Sequence, residues 1–485
     1  MKIMGINCLN HDAAISVIEN DEILFAAHSE RYSRQKNDML LNDDIFSEAY
    51  SFGEPDKVVF YERPYVKKTR QFYAGQYSEV FNTKNIPSLY LKEWIKNKKI
   101  HYVDHHLSHA AAGYYTSPYS EALILVIDGI GEWDVLTIWH AKGNKIKKLD
   151  SVKYPHSLGL FYSAVTQKIG LKPCEEEYIL MGMSGWGKDK YSKNLKNDLF
   201  VNNEKLKLKF NLHKGLGNYG SDWEKFDFAA SAQALTEQIL ENIVSDMRKK
   251  YPNINNLVYM GGCALNCVAN GLILPKYYDN IWIMPNPGDA GSSLGCAAYI
   301  GGKHLKWEGP FLGTKINGQY PIKEALDLLS SGKIFGIASG RAEFGPRALG
   351  NRSLLADPRG SDIKDRVNEI KKRQKFRPFA PAIMEEFADQ YFDMCVKKVP
   401  YMQYTVKCKQ PDNFPAICHV DQTSRVQTVS EKDNYGFYSL LKQFYKKTGC
   451  PMLLNTSLNI KGQPIVNNEI HAMEFSKHYG VKVLS

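Results

Sequence analysis

His105, His109, Asp128 and Asp289 stand far apart in the chain, yet each sits in the local setting that a metal site requires. The two histidines fall in Asp104-His105-His106-Leu107-Ser108-His109-Ala110-Ala111-Ala112, where leucine and alanine favour helix. A spacing of four residues stacks two imidazoles on one helical face, so both reach a single ion. Asp128 ends the apolar run Ala122-Leu123-Ile124-Leu125-Val126-Ile127 and opens a glycine-rich turn. Asp289 lies in Pro285-Asn286-Pro287-Gly288-Asp289-Ala290-Gly291, a strand-end turn that leads into a helix. Two imidazoles and two carboxylates suit iron, manganese or zinc, with positions left open for a substrate oxygen. The competing reading is a surface histidine pair plus two unrelated turn aspartates. Placement of both aspartates at strand ends favours the metal, because binding residues gather on turns held by a rigid sheet.

The elements around these residues repeat. Lys2 to Asn7 reads as a strand, Asn10-His11-Asp12 as a turn, Ala13 to Ile18 as a second strand, and Glu22 to Ala27 as a third after a polar turn. Ala122 to Leu149 follows the same plan, with Asp128-Gly129 at the equivalent turn. Two such copies predict related α/β halves facing one cleft, the architecture of the actin, sugar-kinase and Hsp70 class. Between the halves, the spacing predicts a helix over Thr236 to Val244 and then a buried strand, Asn256 to Met260. That strand runs into Gly261-Gly262-Cys263-Ala264-Leu265-Asn266, where paired glycines let a backbone approach an anion or a purine edge. A tight strand-to-helix turn with no ligand fits the same spacing. A glycine-rich stretch from Gly301 to Gly318 places a domain boundary near 305–330, and Lys333 to Ala338 starts a second domain.

Two motifs dominate that second domain: Glu343-Phe344-Gly345-Pro346-Arg347-Ala348-Leu349-Gly350-Asn351-Arg352-Ser353, and Asn368 through Arg377-Pro378-Phe379-Ala380-Pro381. His419 to Gln427 and Asn455 to Asn459 follow. Arginines beside glycine and proline suit phosphates, because guanidinium groups form bidentate hydrogen bonds and Gly-Pro fixes their direction. A basic solvated face is the alternative, disfavoured because Phe376, Pro378, Phe379 and Pro381 need burial.

At 485 residues the chain predicts two or three domains. Hydrophobic content of 44% and charged content of 24% belong to a soluble globular protein, and no apolar run approaches a membrane span. The first residues enter a strand without a signal-peptide pattern, and nine cysteines lie scattered without CxxC pairs. Reduced thiols and a cytoplasmic location are the expectation. A net charge of +10 favours an anionic partner. Basic residues are dense over Arg63–Lys99, Lys188–Lys214 and Lys364–Arg377, and the second stretch reads as an insertion or mobile loop.

In order, His11-Asp12, Ser29-Glu30-Arg31-Tyr32, the His105/His109 pair, Asp128-Gly129, Gly131-Glu132-Trp133 and Pro155-His156-Ser157-Leu158-Gly159 are followed by Gly261-Gly262 with Asn266 and by Gly288-Asp289. With the arginine motifs, this series resembles the NodU/CmcH family of O-carbamoyltransferases over essentially the whole chain. The resemblance implies an α/β protein: an actin/Hsp70-like (Kae1-like) two-lobed domain over 1–318, then an α/β YrdC-like domain over 319–485. It implies ATP with Mg and carbamoyl phosphate as co-substrates, carbamoyl adenylate as intermediate, and transfer to an acceptor hydroxyl. Carried over residue by residue, His105, His109, Asp128 and Asp289 hold a divalent metal, iron first, with manganese or zinc as alternatives. His11 is the base at the acceptor with Lys36 nearby, and Arg347 and Lys371 act in the first step. Asp12, Gly129, Gly261, Gly262 and Asn266 bind nucleotide. Arg347, Arg352, Lys371, Arg377, Arg425, Asn455 and Ser457 grip carbamoyl phosphate and ATP.

Two departures from the family pattern fall together: Ile179 stands where the family has lysine, and Ser184-Gly185-Trp186 where it has Ala-Pro-Tyr. They bear on the acceptor. A small sugar-like or natural-product hydroxyl is the first expectation, and a hydroxymethylated base in DNA the second, with no membrane partner and a homodimer left open. The competing functions are threonylcarbamoyl-type tRNA modification, which lacks its zinc-finger cysteine pairs here, and a nucleotide-dependent binding module, which has no use for a second phosphate grip.

Overall fold

The computed structural model describes residues 1–201 and 206–485, which divide into two compact units. Unit 1 comprises Met1–Ser29 with Asn37–Trp307, and unit 2 comprises Glu30–Lys36 with Glu308–Ser485. The division falls at 307/308, ahead of the expected 318, because the strand Phe311–Ile316 pairs with Gly340–Glu343 inside unit 2.

Unit 1 holds two five-stranded sheets. The first is built from β1 (Lys2–Asn7), β2 (Ala14–Glu19), β3 (Glu22–His28), β4 (Lys57–Phe60) and β5 (Ile100–Tyr102), in the order β3-β2-β1-β4-β5. The second uses β6 (Glu121–Gly131), β7 (Asp134–Lys142), β8 (Lys145–Lys153), β9 (Asn256–Met260) and β10 (Asn280–Trp282), in the order β8-β7-β6-β9-β10. In each, three strands form an antiparallel meander and the last two join in parallel. The repeat read from the acidic turns is therefore a repeat of topology, and the halves are those of the actin/Hsp70 class. His11-Asp12 occupies the β1–β2 turn, and Asp128 sits where the β6–β7 register breaks between Ile127 and Gly131.

Helix α1 (His105–Thr116) starts at Asp104, whose carboxylate accepts the Leu107 N–H and so caps the first turn. Nearly every residue of α1 is buried, as its alanine and tyrosine content requires of a helix covered on all sides. After it come α2 (Leu158–Lys168), α3 (Glu177–Ser184), α4 (Lys225–Lys250), α5 (Cys267–Ile273) and α6 (Gly291–Gly301), and α1 packs on α6. The helix expected over Thr236 to Val244 is part of the 26-residue α4, within the second half of the unit and not between the halves. The stretch Lys188–Lys214 is more ordered than a loop. It carries a helix over Ser192–Leu199, with Leu195 and Leu199 buried, and a Phe200–Leu208 bridge; its residues 202–205 lie outside the described residues.

Unit 2 is built on a six-stranded sheet whose centre is β15 (Ala380–Met384), β19 (Met452–Ser457), β14 (Arg352–Ala356) and β12 (Phe335–Ala338). Its core includes Phe335, Phe392, Phe437, Leu440 and Leu453. Antiparallel pairing sets Leu355 against Asn455 and Ser353 against Ser457. Because strand side chains alternate with a period of two, Asn455 and Ser457 share one face of the sheet.

Candidate metal centre and anion grip

In unit 1 the four expected ligands converge. One ligand atom from each of His105, His109, Asp128 and Asp289 lies within 4.8 Å of the other three. His105 Nε2 stands 3.4 Å from both Asp128 Oδ2 and Asp289 Oδ1, and His109 Nε2 stands 3.3 Å from Asp289 Oδ1. The two Nε2 atoms are 3.2 Å apart, so two lone pairs converge on one point. Neither imidazole is exposed. Burial alone would raise both carboxyl groups, but the two imidazoles hold Asp289 well below the usual carboxylate range and Asp128 at about 2. Two buried anions facing two imidazole nitrogens form a donor set that a divalent cation fits.

The neighbours fix each ligand. His109 Nδ1 donates to Pro287 O at 3.1 Å, which leaves Nε2 as the free lone pair. The Gly262 N–H donates to Asp128 Oδ1 at 2.8 Å, and Asn10 Nδ2 reaches Asp289 Oδ2 at 3.4 Å. His106, adjacent to the first ligand, turns the other way to Thr137 Oγ1 at 2.9 Å and belongs to the core. Arg63, singled out in the sequence only as part of a basic stretch, ties the two ligand-bearing elements together. Its Nη2 meets Asp104 Oδ2 at 2.7 Å and Glu132 Oε2 at 2.5 Å. Glu132 holds a left-handed φ of 56°, a strained position for a residue with a side chain, at the turn just past Asp128.

His11 is half-buried, with Nδ1 3.2 Å from Asp12 Oδ2 and Nε2 2.7 Å from Cys174 O. Burial pulls its pKa down, but the charge and hydrogen bond of Asp12, then Asp289 and the Cys174 carbonyl, lift it well above the ordinary value. Asp12 thus serves His11. Of the other expected nucleotide residues, Gly261 has φ 89°, and a Cβ there would lie 2.2 Å from Ile127 O, so packing on β6 already demands glycine. Asn266 caps α5 through the Ala269 N–H and pairs its amide with Gln233. Beside Gly129 a Cβ would meet no atom within 4 Å, so space is open next to Asp128.

In unit 2 the buried Lys371 Nζ donates to Ser457 O at 2.5 Å, Ser457 Oγ at 3.0 Å and Asn459 Oδ1 at 2.6 Å. Burial first, then the charges of Arg373, Arg377 and Lys36, push it well below the ordinary lysine range. Several cations gathered about one buried amine are an arrangement that suits an anion. Asn455 Nδ2 donates to Ala348 O and Gln427 Oε1, while its buried Oδ1 and the buried Arg425 Nε find no hydrogen-bond partner among the described residues. The loop bearing Arg347 is wrapped round Glu343, whose Oε1 accepts the N–H groups of Leu349, Asn351 and Arg352.

The Carbamoyltransferase N-terminus profile matches residues 2–298, and the Carbamoyltransferase C-terminus profile matches residues 326–485. The chain belongs to the carbamoyltransferase family. A protein of Synechocystis sp. named only as uncharacterized is 31% identical, over 96% of this chain and 92% of its own. Nodulation protein NolNO of Sinorhizobium fredii is 29% identical, over 96% of this chain and 77% of its own. The 3'-hydroxymethylcephem-O-carbamoyltransferase of Amycolatopsis lactamdurans is 27% identical, over 97% of this chain and 95% of its own.

In this carbamoyltransferase one expected residue takes another place. Arg352 is fully buried, and its guanidinium donates to the carbonyls of Asn467, Ser339, Asn351, Thr314 and Gly340 at 2.8–3.2 Å. That commitment corrects its reading as a phosphate grip: it is a brace for β12–β14. Lys36, expected beside His11, falls in unit 2, where its charge acts on Lys371. Glu343, Gln427 and Asn459 stood inside the quoted motifs without a role, and no feature of their types or spacing marked them as anchors. Ile179 of the departing strip is buried in α3, and Trp186 is exposed.

Proposed function

We propose that this carbamoyltransferase is an ATP-dependent O-carbamoyltransferase working through carbamoyl adenylate. The observation that carries the reading is the convergence of His105, His109, Asp128 and Asp289 in unit 1 of a chain whose unit 2 holds the Lys371 cluster. In the first step, Lys371, Arg347, Arg377 and Arg425 hold the phosphates in unit 2. Water releases phosphate from carbamoyl phosphate, and a carbamate oxygen attacks the α-phosphorus of ATP with pyrophosphate leaving. In the second step the acceptor oxygen attacks the carbamoyl carbon, AMP leaves, and His11 takes the hydroxyl proton. His105, His109, Asp128 and Asp289 would hold a divalent ion, which would supply Lewis-acid polarisation of the carbamoyl carbonyl. Asp12 orients His11, and Nε2 must first lose the proton it donates to the Cys174 carbonyl before the ring acts as a base.

The proposed acceptor is a small sugar-like hydroxyl compound. A second reading, a hydroxymethylated base in DNA, is favoured by exposed rings on the helices Pro64–Tyr73 and Tyr77–Phe81: Tyr65, Phe72, Tyr73, Tyr77 and Phe81. Purified protein given ATP, Mg and carbamoyl phosphate should release pyrophosphate without any acceptor. Arg425→Ala should lose this step, and His11→Ala should keep it while losing transfer. A folded protein releasing no pyrophosphate defeats the reading.

A further inference from the structure

Of the four metal-ligand candidates, three are steadied by neutral groups: the Pro287 carbonyl, the Gly262 N–H and the Asn10 amide. His105 faces a carboxylate. Its Nδ1 is buried and has no hydrogen bond of ordinary geometry, and Glu62 Oε2 stands 3.5 Å from it. Glu62 follows the end of β4 and is 3% exposed. Its neighbour Tyr61 lays its ring against the His105 ring, with centroids 5.0 Å apart. A carboxylate buried to that degree costs several kcal/mol unless another charge pairs with it. Lys67 supplies the pairing charge at 2.7 Å on Oε1, which leaves Oε2 turned toward His105.

We propose that Glu62, held by Lys67, is a positioning residue that fixes His105 as a metal ligand. The proposal rests on reading the four-residue cluster as a metal site. An Nδ1–H donated to Glu62 selects the tautomer whose lone pair is on Nε2, and a negative partner makes that nitrogen a stronger donor. An ion on Nε2 would strengthen the Nδ1–H as a donor toward Glu62 Oε2, which stands 3.5 Å away. Charge agrees: Asp128, Asp289 and Glu62 against Lys67 leave two negative charges, the complement of a divalent ion.

The test uses full-length protein loaded with Co(II), with affinity measured by chelator competition and ring N–H protons followed by paramagnetic NMR. Glu62→Ala should weaken Co(II) about 10–100-fold. It should also remove the exchangeable His105 signal while sparing that of His109, which is donated to Pro287. Glu62→Gln, nearly the same shape and still an acceptor, should keep the signal and bind Co(II) between the wild type and the alanine variant. Wild-type affinity in a folded Glu62→Gln and an intact His105 signal in Glu62→Ala would overturn the proposal. A wild-type protein that takes up no Co(II) removes the metal reading itself, and this assignment falls with it.

Discussion

At the scale of single residues, the arginines of unit 2 share a type and differ in employment. Arg352 spends its donors on five backbone carbonyls, whereas the buried Nε of Arg425 finds no hydrogen-bond partner among the described residues. Replacing the first leaves buried carbonyls unpaired, a cost of about 1–3 kcal/mol for each group that water cannot reach. Arg352→Lys should therefore lower unfolding stability by about 3 kcal/mol, since an ammonium cannot reproduce the planar fork. Arg425→Ala should leave denaturant unfolding nearly unchanged but weaken carbamoyl phosphate binding measured by calorimetry. The opposite pattern would show that the two roles had been exchanged. Sequence chemistry indicated that arginines beside Gly-Pro face an anion. It could not separate these two, because the difference lies in the β14 register and the carbonyls it brings together. The histidine run shows the same boundary. Helical spacing singled out His105 and His109, and only the Thr137 hydroxyl places His106 in the core.

At the scale of elements, the proposed metal centre depends on how closely two helices approach. A Cβ on Gly295 of α6 would stand 1.8 Å from Ser108 O, between the two ligand histidines of α1, and 2.8 Å from the Ala112 Cβ. Both obstacles are a helix backbone or its Cβ, so relief requires the helices to part. Asp289 lies just ahead of α6, so parting α1 from α6 separates both imidazoles from that carboxylate. Gly295→Ala should cost about 1–3 kcal/mol by overpacking. It should also weaken divalent-metal binding without touching a ligand, read as metal retained after dialysis and as the shift in melting temperature on adding metal. Unchanged metal retention would mean that the strand-end turns, and not the helix pair, set the ligand distances. The Ala-Ala-Ala-Gly run marked α1 as a helix. Its partner's glycine carried no legible signal, because close approach is a property of two elements separated in sequence.

At the scale of the whole molecule, the duplicated halves of unit 1 were legible because each acidic turn borders a continuous apolar run. The assignment of Glu30–Lys36 to unit 2 was not, since nothing local marks a segment whose partners lie hundreds of residues away. Arg34, for example, donates to Pro464 O and Ile465 O. Net charge needed the same correction. Arg63–Lys99 is one of the three stretches dense in basic residues, but much of its charge is spent internally. Arg63 is held by Asp104 and Glu132, Lys67 by Glu62, Lys68 by the carbonyls of Glu79, Val80 and Asn82, and Arg70 by Glu132 O. Lys84, Lys92 and Lys99 are exposed, as are the rings of Tyr65, Phe72, Tyr73, Tyr77 and Phe81. A surface of many rings and few cations grips a nucleic acid by stacking more than by phosphate contact. If the acceptor is a base in DNA, a single-stranded oligonucleotide should bind with a shallow salt dependence. About three phosphate contacts give a log–log slope of about −2. Removing two rings, Phe72→Ala with Tyr73→Ala, should weaken binding at least as much as neutralising Lys84, Lys92 and Lys99 together. Fluorescence anisotropy across a salt series reads both. No binding at low salt, or binding indifferent to the rings, discards the DNA reading and leaves the small hydroxyl acceptor.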